Sequence, residues 1–323
     1  MRRAGRRDRP GDRARARPGP QAAARASRDQ ALAQRDRRLG PRRSVRHGAG
    51  GVALDRRRAR RARAARGDEG SAAVTDLATL ERDGPVARLT LNRPEARNAL
   101  SEDLIDALRA RVADLAPMED VSVCVVGGAG RAFCAGMDLK AVLGDPSAAR
   151  RLLSGIAELT IEVRSLPMVT VARVQGAAIG GGCGLMSVCD LAVTHEGAKL
   201  GYPEVDLGVC PAVVAPWLVE KIGAGAARRV LLSGGLTPAA RALELGLVSA
   251  VAADAEALDA EVEGVVDRLQ SASAGALRAT KAWVNEAEGV GVFALVRRGA
   301  MISAEVLEDP GARAALSAAF GRR

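Results

Sequence analysis

The sequence predicts an α/β fold that continues into a helical C-terminal region. Three observations point to it. Between residues 86 and 195, short apolar runs alternate with stretches of helical period. Two such runs lead through glycine into a helix start, RAFCAGMDLK at 131–140 and VQGAAIGGGCGL at 174–185. After residue 210 the pattern is mainly helical.

In VARLTL (86–91), Ala87, Leu89 and Leu91 face one way and Arg88 and Thr90 the other, as in a strand. NRPEARNA follows as a polar turn. Ser101 then suits an N-cap, and Glu102 and Asp103 favour the positive end of the helix dipole. Leu104, Leu108, Val112 and Leu115 recur at helical spacing. VSVCVV (121–126), ending in GGAG, reads as a buried strand and loop, and VTVARV (169–174) and LAVTH (191–195) as two more strands. This is the order that right-handed β/α crossovers produce. Further on, Thr237 and Pro238 read as N-cap and first helical residue, with Gly246 as the stop. Leu258, Val262, Val265 and Leu269 form another helical stripe, and 274–288 and 292–308 also read as helices. No fixed-period repeat occurs.

Of 323 residues, 48% are hydrophobic, enough for a sizeable core. No apolar run approaches the roughly 18–20 residues of a membrane span. The arginine-rich start lacks the apolar segment of a secretory signal. The five cysteines, Cys124, Cys134, Cys183, Cys189 and Cys210, form no C-x-x-C pair and have no histidine cluster beside them. They suit reduced, buried thiols in a cytoplasmic protein, and no metal site is expected.

Charge is unevenly placed. Residues 1–70 hold 23 arginines, no lysine and 7 acids, a net +16, so the rest of this +10 chain carries −6. The stretch 1–73 is a disordered Arg/Ala-rich extension by composition. It suits sequence translated ahead of a true start near Val74, a genuine tail, or a basic arm. The lack of lysine and aromatics argues against a nucleic-acid arm. The expected divisions are this extension, a core over 74–265, and a helical region over 266–323.

Several chemistries are excluded. The glycine cluster fits neither the dinucleotide nor the P-loop pattern. No G-x-S-x-G elbow is present, and His195, the one histidine outside the tail, suits a structural role. From the residues alone, Gly180–Gly182 could be a close-packed turn. They could equally be amide donors at a helix N-terminus, aimed at a developing negative oxygen. The second glycine-bearing junction, with Ala135 and Gly136, could supply a converging donor.

Four segments together, LTLNRPEARNALS (89–101), RAFCAGMDLK, VQGAAIGGGCGL and LGYPEVDLGVCP (200–211), resemble the crotonase superfamily, the enoyl-CoA hydratase/isomerase family. The resemblance covers about residues 74–323. It implies a spiral of repeated ββα turns with a helical C-terminal region, an acyl-CoA thioester substrate and no cofactor. It further implies homotrimers or dimers of trimers, with no nucleic-acid or membrane partner. Carried over by position, the oxyanion donors are the amides of Met137 and Gly181, and the catalytic carboxylate is Glu204. Ala135, Met137, Asp138, Leu139, Lys140, Gly180, Gly181 and Gly184 fall along the substrate, and Arg97 falls where a basic CoA contact is frequent. Arg97 and Lys140 also suit plain surface charges. Arg297 and Arg298 could reach CoA phosphates or face solvent, Asp206 suits a loop cap, and 141–165 should help wall the pocket.

One position departs from the two-glutamate hydratase pattern, because Gly184 stands where the first glutamate would be. The stretch GGGCGL with PEVDLGVCPAVVAPWLVEKIG is similar to a methylglutaconyl-CoA-type hydratase subgroup that shares this glycine. The resemblance therefore implies an enoyl-CoA hydratase. Alternatives are a Δ3-Δ2-enoyl-CoA isomerase using a single glutamate, thioester hydrolysis, and a non-catalytic acyl-CoA binder.

Overall fold

Gly84, at φ +52°, reverses the chain between β1 (Ala78–Asp83) and β2 (Val86–Leu91), which pair antiparallel. In the computed structural model, which describes residues 76–289 and 291–321, this hairpin edges a six-stranded sheet. The sheet continues from β2 through β3 (Val123–Gly128), β4 (Val169–Val174), β6 (Leu191–His195) and β9 (Ala250–Ala252), all parallel. A smaller sheet joins β5 (Ala177–Ile179) to β7 (Lys199–Gly201) in parallel and β7 to β8 (Leu236–Thr237) in antiparallel. The extension 1–73 lies outside the described residues.

Eleven helices are described: α1 (Glu102–Leu115), α2 (Leu139–Gly144), α3 (Pro146–Arg164), α4 (Gly181–Ser187), α5 (Ala215–Ile222), α6 (Ala224–Ser233), α7 (Ala239–Glu244), α8 (Leu258–Gln270), α9 (Ala274–Glu288), α10 (Gly291–Glu308) and α11 (Pro310–Gly321). Ser101 caps α1 by accepting the Leu104 amide at 3.3 Å, as its position predicts. Thr237 does not cap α7. It ends β8 opposite Leu200, and the extended Pro238 precedes the helix. Pairing with β7 engages Thr237 in the small sheet, which local helix-start signals cannot reveal. Gly246, at φ +75°, follows the end of α7.

Strand alternation divides the core in two. Ala87, Leu89, Cys124, Val126, Ala172 and Val174 face the larger cluster with α1 and α3. Val86, Val123, Val125, Val171 and Val193 face a second cluster closed by Leu258, Val262 and Val266 of α8. Both faces of the parallel strands are therefore covered, which accounts for their near-continuous hydrophobicity. Among the described residues, no helix is long and apolar enough to cross a membrane.

The C-terminal helices pack on this same chain. Lys281 of α9 donates to Asp190 at 2.7 Å and to the Met168 carbonyl at 2.9 Å. Asp190 also accepts from the Thr170 amide at 2.7 Å, tying α9 to the ends of β4 and β6. The Lys281 side chain is only 5% exposed, so solvent does little to screen the pair. Lys281→Met is expected to cost about 3 kcal/mol, because Asp190 keeps its charge after losing its closest cation. Urea unfolding measures this, and a loss below about 1 kcal/mol would contradict it. On α10, Val296 is fully buried, and Phe293 lies 6.0 Å from the Trp217 ring of α5.

Candidate active site

Two strand-to-helix junctions meet at the C-terminal ends of β3 and β4. Cys134 accepts from the Ile179 amide at 3.0 Å and donates to the Ala177 carbonyl at 2.9 Å, zipping the junctions together. Glycine is needed by contact at 136, while the neighbouring Gly181 shows how near the two junctions come. A Cβ on Gly136, at φ +90°, would stand 2.6 Å from the Ile179 carbonyl oxygen and 3.5 Å from the Gly181 nitrogen. A Cβ on Gly181 would stand 3.7 Å from the Met137 nitrogen.

The local hydrogen bonding leaves two amides unused. Leu100 donates to Gly136 O at 2.8 Å and accepts from Asp138 N at 3.0 Å, so the bridge turns the intervening Met137 N–H away from Leu100. The Gly181 amide opens α4 and has no acceptor within the helix. Among the described residues, neither amide donates a hydrogen bond.

Met137 and Gly181 both line a cavity of about 70 Å³. Ala135, Leu139, Gly180 and Glu204 line it too, with Leu153 and Ile156 of α3. The expected contribution of 141–165 is thus made by α3. Leu207, Val209, Cys210, Pro211 and Val213 complete an otherwise apolar wall.

Glu204 supplies the one charged side chain of this lining. It starts a 3₁₀ turn (Val205–Leu207), accepting from the Leu207 and Val209 amides on its main-chain oxygen at 3.0 and 2.8 Å. Its Oε2 is sealed from solvent without a hydrogen-bond partner among the described residues. Its Oε1 lies 2.7 Å from where a Cβ on Gly180 would be, so glycine at 180 makes room for the carboxyl. Burial penalises the charged form and pushes the Glu204 pKa up to about 7. A carboxyl poised there can both take and return a proton near neutrality.

The remaining sequence-predicted residues stand outside the lining. Arg97 and Lys140 are exposed. Asp138 accepts from Arg93 at 2.8 Å and caps α2 at the Ala141 amide, 3.4 Å away. Gly184 is buried against Val214, whose Cγ1 lies 2.4 Å from where a Cβ on 184 would stand. Arg297 pairs with Glu158 at 2.6 and 2.9 Å. Asp206 accepts from Gly235 N at 2.7 Å, a loop contact as its type suggests. His195 accepts from the Gly176 amide at 3.2 Å, a structural role.

Sequence reasoning missed Asn98 and Ser303. Asn98, fully buried at φ +54°, accepts from Arg93 N at 2.8 Å and donates to the Ala129 and Ala132 carbonyls at 3.0 and 2.8 Å. It thereby anchors the loop that leads to Met137. An asparagine in a polar turn was the available signal, since it tolerates left-handed backbone. Ser303 touches the cavity wall from more than 90 residues downstream, and nothing local announces it. Among the described residues, no group of three or more His, Cys, Asp or Glu is placed to hold a metal ion.

A family model described as Enoyl-CoA hydratase/isomerase matches residues 81–292. A Thermus thermophilus protein provisionally named an enoyl-CoA hydratase is 36% identical over 245 residues, 74% of this chain and 96% of that protein. The 2,3-dehydroadipyl-CoA hydratase of Escherichia coli is 36% identical over 173 residues, 53% of this chain and 68% of its own length. The crystal structure of an enoyl-CoA hydratase/isomerase from Xanthobacter autotrophicus Py2 aligns with TM-score 0.68 at 30% identity, over 76% of this chain and 96% of that one. Pseudomonas aeruginosa AtuE aligns with TM-score 0.63 at 36% identity, over 76% and 97%.

Proposed function

The chain belongs to the enoyl-CoA hydratase/isomerase family, and from that premise we propose that it adds water across the 2,3 double bond of a 2-enoyl-CoA thioester. The thioester oxygen lies between the Met137 and Gly181 amides. The Glu204 carboxylate takes a proton from water as the hydroxyl adds to C3, and the double-bond electrons move onto the thioester oxygen as an enolate. The enolate collapses, and C2 takes the proton back from Glu204. One carboxyl thus serves as base and then acid, and one water is consumed. Removing one such amide donor typically costs about 3 kcal/mol of transition-state stabilisation.

The observation that carries this reading is Glu204: half-buried, with Oε2 sealed from solvent and without a partner among the described residues, and with its pKa pushed up to about 7 by desolvation beside two unused amides. Gly184 in GGGCGL supports a finer placement near the methylglutaconyl-CoA-type hydratases, and the buried thiols support a reducing, cytoplasmic setting. The reading extends to a homotrimer or dimer of trimers, for which exposed Trp283, Leu295, Met301 and Ile302 offer apolar surface.

Incubation with a 2-enoyl-CoA and, separately, a 3-enoyl-CoA tests the reaction. Loss of conjugated thioester absorbance with the first is expected. Its appearance with the second, and no loss with the first, would replace hydration by isomerisation.

A further inference from the structure

Cavity-wall residues Val209, Cys210, Pro211 and Val213 are held from outside by α10. Ser303, fully buried, donates to the Cys210 carbonyl at 2.7 Å and accepts from the Ala212 amide at 3.1 Å. One hydroxyl therefore spans Pro211 and satisfies the polar backbone on both sides of it. One turn earlier, Gly299 sits so close that a Cβ there would stand 2.1 Å from the Ala212 oxygen and 3.0 Å from the Val213 nitrogen. The same helix is fixed at its other contacts by Val296, Ala300 and Ala304, all buried.

The 209–213 stretch brings hydrocarbon and one thiol to the same cavity that the unused amides and Glu204 line. An acyl group whose thioester is held on those amides shares this small cavity with the 209–213 wall. We propose that Ser303 and Gly299 are positioning residues that set this wall and so decide which acyl groups fit. This rests on the acyl-CoA reading above. It goes beyond it by assigning acyl selectivity to a helix whose residues do not line the cavity.

The test compares the parent chain with Ser303→Ala, Gly299→Ala and a control, Val262→Ala, which opens space in the second core away from the site. The measured quantity is the ratio of kcat/KM for crotonyl-CoA to that for trans-2-decenoyl-CoA, with Tm recorded alongside. Ser303→Ala frees the wall backbone, and Gly299→Ala pushes it into the cavity. Each is expected to move the ratio at least fivefold, the two in opposite directions. Val262→Ala should lower Tm and leave the ratio within twofold. Ratios within twofold of the parent in both α10 variants would overturn the proposal and leave Ser303 and Gly299 a purely structural role. If the parent hydrates neither substrate, the hydratase reading fails. The wall is then judged by the same thresholds from the ratio of inhibition or dissociation constants for butyryl-CoA and decanoyl-CoA.

Discussion

Glu204→Gln is expected to slow turnover by about a thousandfold while leaving acyl-CoA affinity within a few-fold of the parent. Glutamine keeps the shape beside Gly180 but can neither take the proton from water nor return it to C2. In the parent chain, kcat/KM should rise with pH through about 7, as Glu204 becomes the carboxylate that starts the reaction. Stability should move the other way. Folding raises the Glu204 pKa from 4.5 to about 7, so the folded state favours the protonated form. That contribution is complete below about pH 4.5 and is lost as pH rises through about 7. Above this range the buried charge costs on the order of 3 kcal/mol, which glutamine avoids. The variant should therefore unfold at higher denaturant than the parent near pH 8 and converge with it near pH 5. Retained turnover, or a variant less stable at both pH values, would remove Glu204 from the proposed chemistry.

Gly184→Glu writes in the second carboxylate of the two-glutamate pattern, and it is expected to damage this chain. The new Cβ would fall 2.4 Å from Val214 Cγ1 and 3.1 Å from Val214 Cβ, so a branched, buried side chain has to move. The carboxyl that follows enters the same apolar interior. Overpacking and desolvation together should cost about 4 kcal/mol, a fall of about 10 °C in Tm, with hydration no faster than in the parent. Val214→Ala added to Gly184→Glu should recover part of the Tm. A stable, faster Gly184→Glu variant would mean that Val214 does not occupy the place of the missing acid.

Much of the fold is local chemistry and could be read in order along the chain. VARLTL and VTVARV form strands over the same residues their patterns predict, and Ser101 caps α1. The VSVCVV run forms its strand two residues later, at Val123–Gly128, because its pairing with β2 sets the register. The strands β5, β7, β8 and β9 are two or three residues long and escape any periodicity. Their partners lie far away in sequence, so only assembly of the sheets creates them.

At the site the division is similar. The motifs around Met137, Gly181 and Glu204 carry their own resemblance, because close backbone approach demands glycine at fixed positions wherever it occurs. Local patterns along the chain establish an α/β protein with two glycine-bearing junctions and one acidic candidate following them. Only long-range packing seals the Oε2 of this acid from solvent without a partner among the described residues, sets Val214 in the space beside Gly184, and lets Ser303 hold the cavity wall. Desolvation and steric exclusion depend on what packs around a group. That surrounding comes from segments far apart in the chain, which no local pattern records.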